Sequence, residues 1–247
     1  MRVGPLRALS AAALSLRTPQ LPPYAPSRRT FSPRAHATTA AGGSAVQQVY
    51  HCAALGDLDG CAEAMDALTA ADAGMAQGDA GSAVGGPVGY HHVYSDASMS
   101  IGIFVLPRGA CLPLHDHPGM SVLSKLLFGS LRVTSYDAPS DAPPPQRTLF
   151  GFGGGETRTL RCAAPTVREV AAPCTPLRLD AVRGNIHAFE ALEHTAIFDV
   201  LAPPYSDRDG RSCHYYAASD EHVLTEVSWP ADLSVVNRRY QGELVEP

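Results

Sequence analysis

The sequence predicts a mainly β protein, an antiparallel sandwich or barrel with two short helices before it. Glycine and proline are frequent, at 22 and 21 of 247 residues, and short apolar segments recur between turn residues along most of the chain. Frequent turns favour many short strands over long helices. The helices are predicted from a proline-free, alanine-rich stretch, residues 45–76. With 45% apolar residues, the chain can bury the core of one domain and carry a tail.

The predicted helices come from two groups of apolar residues that repeat at helical spacing. The first group is Val46, Val49, Tyr50 and Ala53, and the second is Ala62, Met65 and Leu68. Glycine and aspartate at 56–60 predict a turn between them, and the glycine-rich residues 78–89 predict a loop.

The predicted strands are short and follow one another closely after residue 90. They are expected within 99–109, twice within 120–137 around a hairpin turn at Gly129–Ser130, and within 157–162, 166–170, 177–182, 187–192, 195–204, 212–217 and 225–229. Strands of this length at this spacing indicate an antiparallel sheet structure. Residues 138–156, rich in proline and glycine, are expected to form an irregular insertion.

The N-terminal segment, residues 1–44, differs in charge from the rest of the chain. It contains six arginines and no acidic residue, and without it the net charge falls from −5 to −11. Basic, acid-free segments are typical of transit peptides, so we expect import into a mitochondrion or chloroplast. The alternative, favoured by several prolines, is a disordered extension on a protein of the cytoplasm and nucleus.

Charge, hydropathy and cysteine spacing exclude several classes of protein. The net charge of −5 argues against nucleic acid as a partner, and no apolar run approaches the 18 or so residues of a membrane span. The six cysteines form no C-x-x-C pair, so reduced thiols are expected in place of a zinc finger or disulfide framework. We expect a monomer.

The residues that point to chemistry are three histidines. On a strand, His115 and His117 of an H-x-H pattern would project to the same face, where two imidazoles can form part of a metal site. The alternative is a pair of ordinary strand histidines. His187 follows in G-N-I-H, and together the two pieces fit the cupin pattern of G-x5-H-x-H and a later G-x-x-H. The glutamate usual in the first cupin motif is absent, which leaves three imidazoles for a metal such as Fe²⁺, Zn²⁺ or copper.

The segment LPLHDHPGMSVLSKLLFGSLRVTSYD resembles the plant cysteine oxidases and their animal relative, cysteamine (2-aminoethanethiol) dioxygenase. GNIHAFEAL and FDVLAPPYSDRDGRSCHYY continue the resemblance in the expected order. It implies that residues 45–247 form a cupin thiol dioxygenase domain, an antiparallel double-stranded β-barrel. His115, His117 and His187 would hold Fe²⁺, and a cysteine-type thiol and O₂ would be the substrates. The product would be a sulfinic acid, which in plants links oxygen sensing to the N-degron pathway.

The resemblance also implies roles for residues around the metal. Asp199 corresponds to an acid that would partner a ligand histidine, and Tyr205 to an active-site tyrosine that could donate to bound oxygen or thiolate. Cys213 corresponds to a cysteine near the pocket. It shares a strand face with Tyr215, so a thioether crosslink and simple packing are both open.

Two alternatives to a thiol dioxygenase stand beside it. One is a cupin enzyme of another reaction class, and the other is a non-catalytic, metal-binding cupin, since the fold does not determine the function. The substrate is also open, because import into an organelle favours free cysteine or cysteamine over the N-terminal cysteine of a protein.

Overall fold

The computed structural model describes residues 43–76, 84–139, 158–220 and 222–247. This part of the chain has two α-helices, α1 (Ala45–Ala54) and α2 (Leu58–Ala67), followed by thirteen strands. The strands are β1 (Val88–Ser95), β2 (Ser100–Leu106), β3 (Cys111–His115), β4 (Ser121–Phe128), β5 (Ser130–Tyr136), β6 (Thr159–Arg161), β7 (Thr166–Ala171), β8 (Leu177–Leu179), β9 (Ile186–Ala191), β10 (Thr195–Ala202), β11 (Tyr215–Asp220), β12 (Val223–Val227) and β13 (Val235–Arg238). The prediction of a mainly β fold with two short N-terminal helices is confirmed.

Both helices begin at a side-chain cap. Ser44 accepts a hydrogen bond from the backbone N–H of Gln47 at 3.2 Å, and Asp57 accepts one from Gly60 at 2.9 Å. These caps satisfy amides that have no partner within the helix. Because Asp57 is a cap, α2 begins inside the predicted turn. At ten residues each, neither helix is long enough to cross a membrane, and no described helix meets that requirement.

Two sheets make up the β structure. The first has the strand order β13-β1-β2-β10-β4-β8, and the second has the order β6-β12-β11-β3-β9-β5-β7. The described pairs are antiparallel except β1 and β13, which run parallel. This pair is an exception to the fully antiparallel arrangement that the sequence predicts.

Alternate residues of the first sheet enter two separate apolar clusters. Phe198 of β10 packs in a cluster with α1 and α2, whereas its neighbour Ile197 packs in a cluster that also contains Leu131 and Phe189 of the second sheet. This alternation is the period of two expected of a strand that is buried on both faces. The helices therefore cover one face of the first sheet, and the other face meets the second sheet.

The predicted hairpin at Gly129–Ser130 is wrong. β4 pairs with β8 and β10, whereas β5 pairs with β7 and β9, so the chain changes sheets here. Only Gly129 lies between the two strands, which is shorter than the two-residue loop of the tightest common hairpin. Gly129 has φ +85°, and a Cβ there would lie 2.3 Å from the carbonyl oxygen of His194, so only glycine fits this corner.

Lys125, the single lysine of the chain, ties α2 to the first sheet. Its ammonium is buried and donates to the carboxylate and the backbone carbonyl of Asp66, at 3.0 Å each, and to the carbonyl of Cys174. The three donors of the ammonium are thereby used, as a buried charge requires.

β1 and β13 were not predicted from the sequence, and β3 was implied only by the strand argument for His115 and His117. A strand is present in each of the ranges where one was predicted. The predicted extension at residues 1–44 and the predicted insertion at 138–156 lie almost wholly outside the described residues.

Candidate metal centre

The structure brings His115, His117 and His187 together. One ring nitrogen of each histidine lies within 4.8 Å of those of the other two. The ring centroids are 4.7–5.0 Å apart. His115 ends β3 and is paired with His187 of β9 across the sheet, so the second sheet itself positions these two rings.

The third histidine reaches this point by a different route from the predicted one. β3 ends at His115, so His117 is not a strand residue and the i, i+2 argument does not apply to it. Pro118 and Gly119 follow at once, and Gly119 has φ +65°, which turns the chain away from the sheet. The His117 ring is placed by contacts of its loop, not by strand geometry.

The environment keeps the three imidazoles neutral. Burial lowers the pKa of His115. Burial and the neighbouring His115 ring hold the pKa values of His117 and His187 well below 6.5. A neutral imidazole has a lone pair available for a metal. His115 donates from Nδ1 to the carbonyl oxygen of Pro113 at 2.8 Å, which leaves Nε2 unprotonated. The donor set therefore fits a divalent transition metal.

Tyr205 lies against the His117 ring, with centroids 5.2 Å apart. Its hydroxyl donates to the backbone carbonyl of Asp116 at 2.7 Å and lies 2.9 Å from Nδ1 of His117. A hydroxyl has one proton and a carbonyl can only accept, so Nδ1 of His117 is the donor in the second bond. Burial raises the pKa of Tyr205 well above its usual value. The structure thus places Tyr205 as a hydrogen-bond partner of a candidate ligand.

Asp199 lies in β10 with 6% of its surface exposed. Burial raises the pKa of its carboxyl to about 7, opposed by a hydrogen bond from Ser124. Its Oδ1 and the Nδ1 of His187 are each buried without a hydrogen-bond partner. Ser124 and His187 line one cavity of about 40 Å³, which has room for a water molecule. Asp199 is thus connected to this cavity through Ser124, and no direct hydrogen bond joins it to His187.

Cys213 is a free thiol, and the hydroxyls of Tyr205 and Tyr215 lie close enough to influence its pKa. Burial raises its pKa to about 12, so the thiol remains protonated and is a poor nucleophile. β11 begins at Tyr215, so Cys213 lies before the strand and does not share a strand face with Tyr215 as the sequence predicts. The packing and crosslink interpretations both stay open.

Two buried polar residues that were not predicted from the sequence hold the loop of His117. The carboxylate of Asp116 accepts from the backbone N–H of His214 at 2.8 Å, from the His214 ring at 3.0 Å and from the Tyr216 hydroxyl at 2.9 Å. Asn185 bonds to the backbone of His117. The sequence offered one signal for each: Asp116 lies between two candidate ligands, and Asn185 lies two positions before the third.

Comparison with known proteins gives one family and several relatives. The family model PCO_ADO matches residues 62–245. Plant cysteine oxidase 2 of Arabidopsis thaliana is 42% identical over 179 residues, which cover 64% of this chain and 61% of the relative. The 2-aminoethanethiol dioxygenase of Mus musculus is 38% identical over 142 residues, which cover 53% of this chain and 54% of the relative. The chain thus matches about half to three fifths of the length of these relatives.

Solved structures with similarity include an RmlC-like cupin protein from Desulfovibrio desulfuricans and KdgF from Halomonas sp. The match to the first has a TM-score of 0.30 and 17% sequence identity, and it covers 48% of this chain and 84% of the RmlC-like chain. The match to the second has a TM-score of 0.32 and 14% sequence identity, and it covers 48% of this chain and 80% of the KdgF chain.

Proposed function

Because this chain belongs to the PCO_ADO family, we propose that it is a thiol dioxygenase that adds both atoms of O₂ to a cysteine-type thiol. The reaction RSH + O₂ → RSO₂H balances without a reductant, since the sulfur loses four electrons and the two oxygen atoms gain them. The product is a sulfinic acid, beyond the readily reversed steps of thiol oxidation. Relatives named plant cysteine oxidase and 2-aminoethanethiol dioxygenase support this reaction class.

The observation that carries the proposal is the convergence of His115, His117 and His187. We propose Fe²⁺ as the metal, held by these three imidazoles. When bound, Fe²⁺ would supply the positive charge that ionises a thiol and the redox chemistry with O₂. Three neutral ligands leave the full charge of the ion in place, which favours binding of an anionic sulfur.

The side chains around the three histidines orient the ligands and exclude water. The Phe189 ring packs against the His187 ring, with centroids 4.6 Å apart. The Tyr205 hydroxyl fixes the His117 ring through the hydrogen bond with its Nδ1. His117 and His187 are both 4% exposed, whereas His115 is half-buried and faces Tyr215, with centroids 6.2 Å apart. The thiol would therefore approach from the side of His115.

Asp199 is suited to hold a proton near this centre. With a pKa of about 7, its carboxyl is poised between the protonated and ionised forms near neutral pH. We propose that Asp199 orients His187 through one bridging water, since the Nδ1 of His187 and the Oδ1 of Asp199 both have no partner. The same carboxyl can exchange a proton with that water during turnover.

The test is O₂ uptake by the iron-loaded protein with free cysteine, cysteamine and a peptide that begins with cysteine. We expect O₂ consumption that depends on the thiol, and a product heavier than the thiol by two oxygen atoms. His187→Ala is expected to lose iron and thiol-dependent uptake while it keeps the β fold. His222→Ala, which changes an exposed histidine away from the centre, is the matched control. An iron-loaded protein that consumes no O₂ with any of the three thiols would reject the proposal and favour a non-catalytic cupin.

A further inference from the structure

The loop that contains His117 lies beyond the end of the β3–β9 ladder. The last pair of that ladder joins His115 and His187, so no strand partner fixes the backbone two residues later. On either side, the N–H of Asp116 donates to the carbonyl oxygen of His214 and the N–H of Met120 donates to that of His117, at 3.1 Å each. The N–H of His117 is the backbone group that remains for a side chain to fix.

The side chain of Asn185 pairs with the backbone of His117. Its Oδ1 accepts from the N–H of His117 at 3.2 Å, and its Nδ2 donates to the carbonyl oxygen of His117 at 2.8 Å. One residue thus receives a donor and an acceptor from the same amide, which is the pattern that a neighbouring strand would supply. The side-chain amide of Asn185 thus supplies the hydrogen bonds that the β3–β9 ladder no longer provides at His117.

The other end of the amide is also fixed. The second hydrogen of Nδ2 lies toward the carbonyl oxygen of Asp180, at 2.8 Å. Asp180 begins the turn that precedes β9, and its carboxylate accepts from the N–H groups of Val182 and Arg183. Asn185 is 3% exposed, so water does not compete for these bonds.

We propose that Asn185 is a positioning residue for His117: its side-chain amide replaces a strand and sets the third ligand of the metal centre. This inference rests on the metal centre of the proposed function. Asn185 is not one of the three candidate ligands, and in this proposal it acts through the backbone of His117.

An asparagine is the residue that fits these three bonds. Aspartate would keep the acceptor but place carboxylate oxygens against the carbonyls of His117 and Asp180, which repels both. Glutamine carries the same amide one carbon further out. Leucine offers no bond at all: the N–H of His117 and the carbonyl of Asp180 would lose this partner, and the carbonyl of His117 would keep only its bond from the N–H of Met120. The role therefore depends on the amide chemistry and on the length of the side chain.

The experiment measures metal affinity, with Co²⁺ as the probe because its visible absorption reports coordination. Three purified apo proteins are titrated with Co²⁺: the wild type, Asn185→Asp and Asn185→Ala. The melting temperature of each apo protein is also recorded. We expect both variants to remain folded, to bind Co²⁺ about 10–100-fold more weakly, and to show an altered Co²⁺ spectrum. Asn237→Asp is the matched control, because Asn237 is the only other asparagine of the chain and lies exposed on β13.

The outcomes separate this inference from the proposed function. If the wild type binds no Co²⁺, the metal centre itself is wrong and the inference fails with it. If the wild type binds and the two folded variants bind equally well with the same spectrum, the metal centre stands and the role of Asn185 is rejected. Variants whose apo forms do not fold would assign Asn185 to the stability of the fold, which also rejects a positioning role.

Discussion

Asp199 combines deep burial with an acidic side chain, and this combination has a consequence for stability. The pKa of its carboxyl is about 7 in the folded protein, whereas the ordinary pKa of an aspartate, which applies to the unfolded chain, is 3.8. The folded state therefore binds a proton that the unfolded state releases between about pH 4 and pH 7. By linkage, the contribution of this residue to stability falls as the pH rises through that range.

We predict that Asn in place of Asp199 removes this pH dependence. Relative to Asp199→Asn, the apo wild type should lose about 2 to 3 kcal/mol of unfolding free energy between pH 5 and pH 8. Urea denaturation of both proteins at the two pH values measures the difference, in which the titration of other groups cancels. An equal loss in both proteins would mean that Asp199 ionises normally. The variant should keep its metal, since Asp199 is not a ligand, and turn over about 10–100-fold more slowly.

The three candidate ligands could be found from the sequence because each lies at a fixed distance from a glycine or another histidine. The contacts that orient them could not be found in this way. Asp116 and Asn185 act through backbone groups that are close only in the folded chain. The strand argument for His117 was wrong because β3 already ends at His115.

At the scale of the element, the corner at Gly129 is the sharpest departure from the predicted topology. Two strands with one glycine between them look like a hairpin in the sequence. The apolar pattern of β4 and β5 identifies both as strands but does not say which strands they pair with. The pairing depends on β7, β8, β9 and β10, which lie far along the chain.

We predict that Gly129→Ala destabilises the protein by about 3 to 5 kcal/mol, because the new Cβ combines a positive φ with a clash against backbone. Gly210→Ala is the matched control, since Gly210 has φ +72° with nothing within 4 Å of a Cβ. It should cost only about 1 to 2 kcal/mol. Urea denaturation of the apo proteins provides the comparison. Equal losses for the two variants would show that the close approach at the corner is unimportant.

β1 and β13 went unrecognised for different reasons. The sequence of β1, VGYHHVYS, contains two adjacent histidines and no clear alternation of apolar and polar residues. β13 has only four residues, and its partner lies almost 150 positions earlier in the chain. A parallel pair of this kind depends on tertiary contacts that local patterns do not report.

At the scale of the whole molecule, we propose that residues 1–44 direct the protein to an organelle. A fluorescent reporter fused to this segment should accumulate in mitochondria or chloroplasts, because the segment has six arginines and no acid. The control carries glutamine in place of Arg2, Arg7 and Arg17 and should remain outside the organelle. Fluorescence microscopy distinguishes the two. A wild-type reporter spread through the cytoplasm and nucleus would reject the proposal and favour protein N-terminal cysteine as the substrate.

The parallel pairing of β1 with β13 sets an order on events during protein synthesis. Residues 88–91 pair with residues 235–238, and Tyr240 and Val245 pack against the cluster that contains both helices. While the ribosome is still making the middle of the chain, β1 therefore presents a bare edge and the helices lack part of their covering. Such exposed edges and apolar surfaces are where nascent chains associate wrongly. This protein should therefore depend on chaperones most strongly just before residues 235–245 emerge.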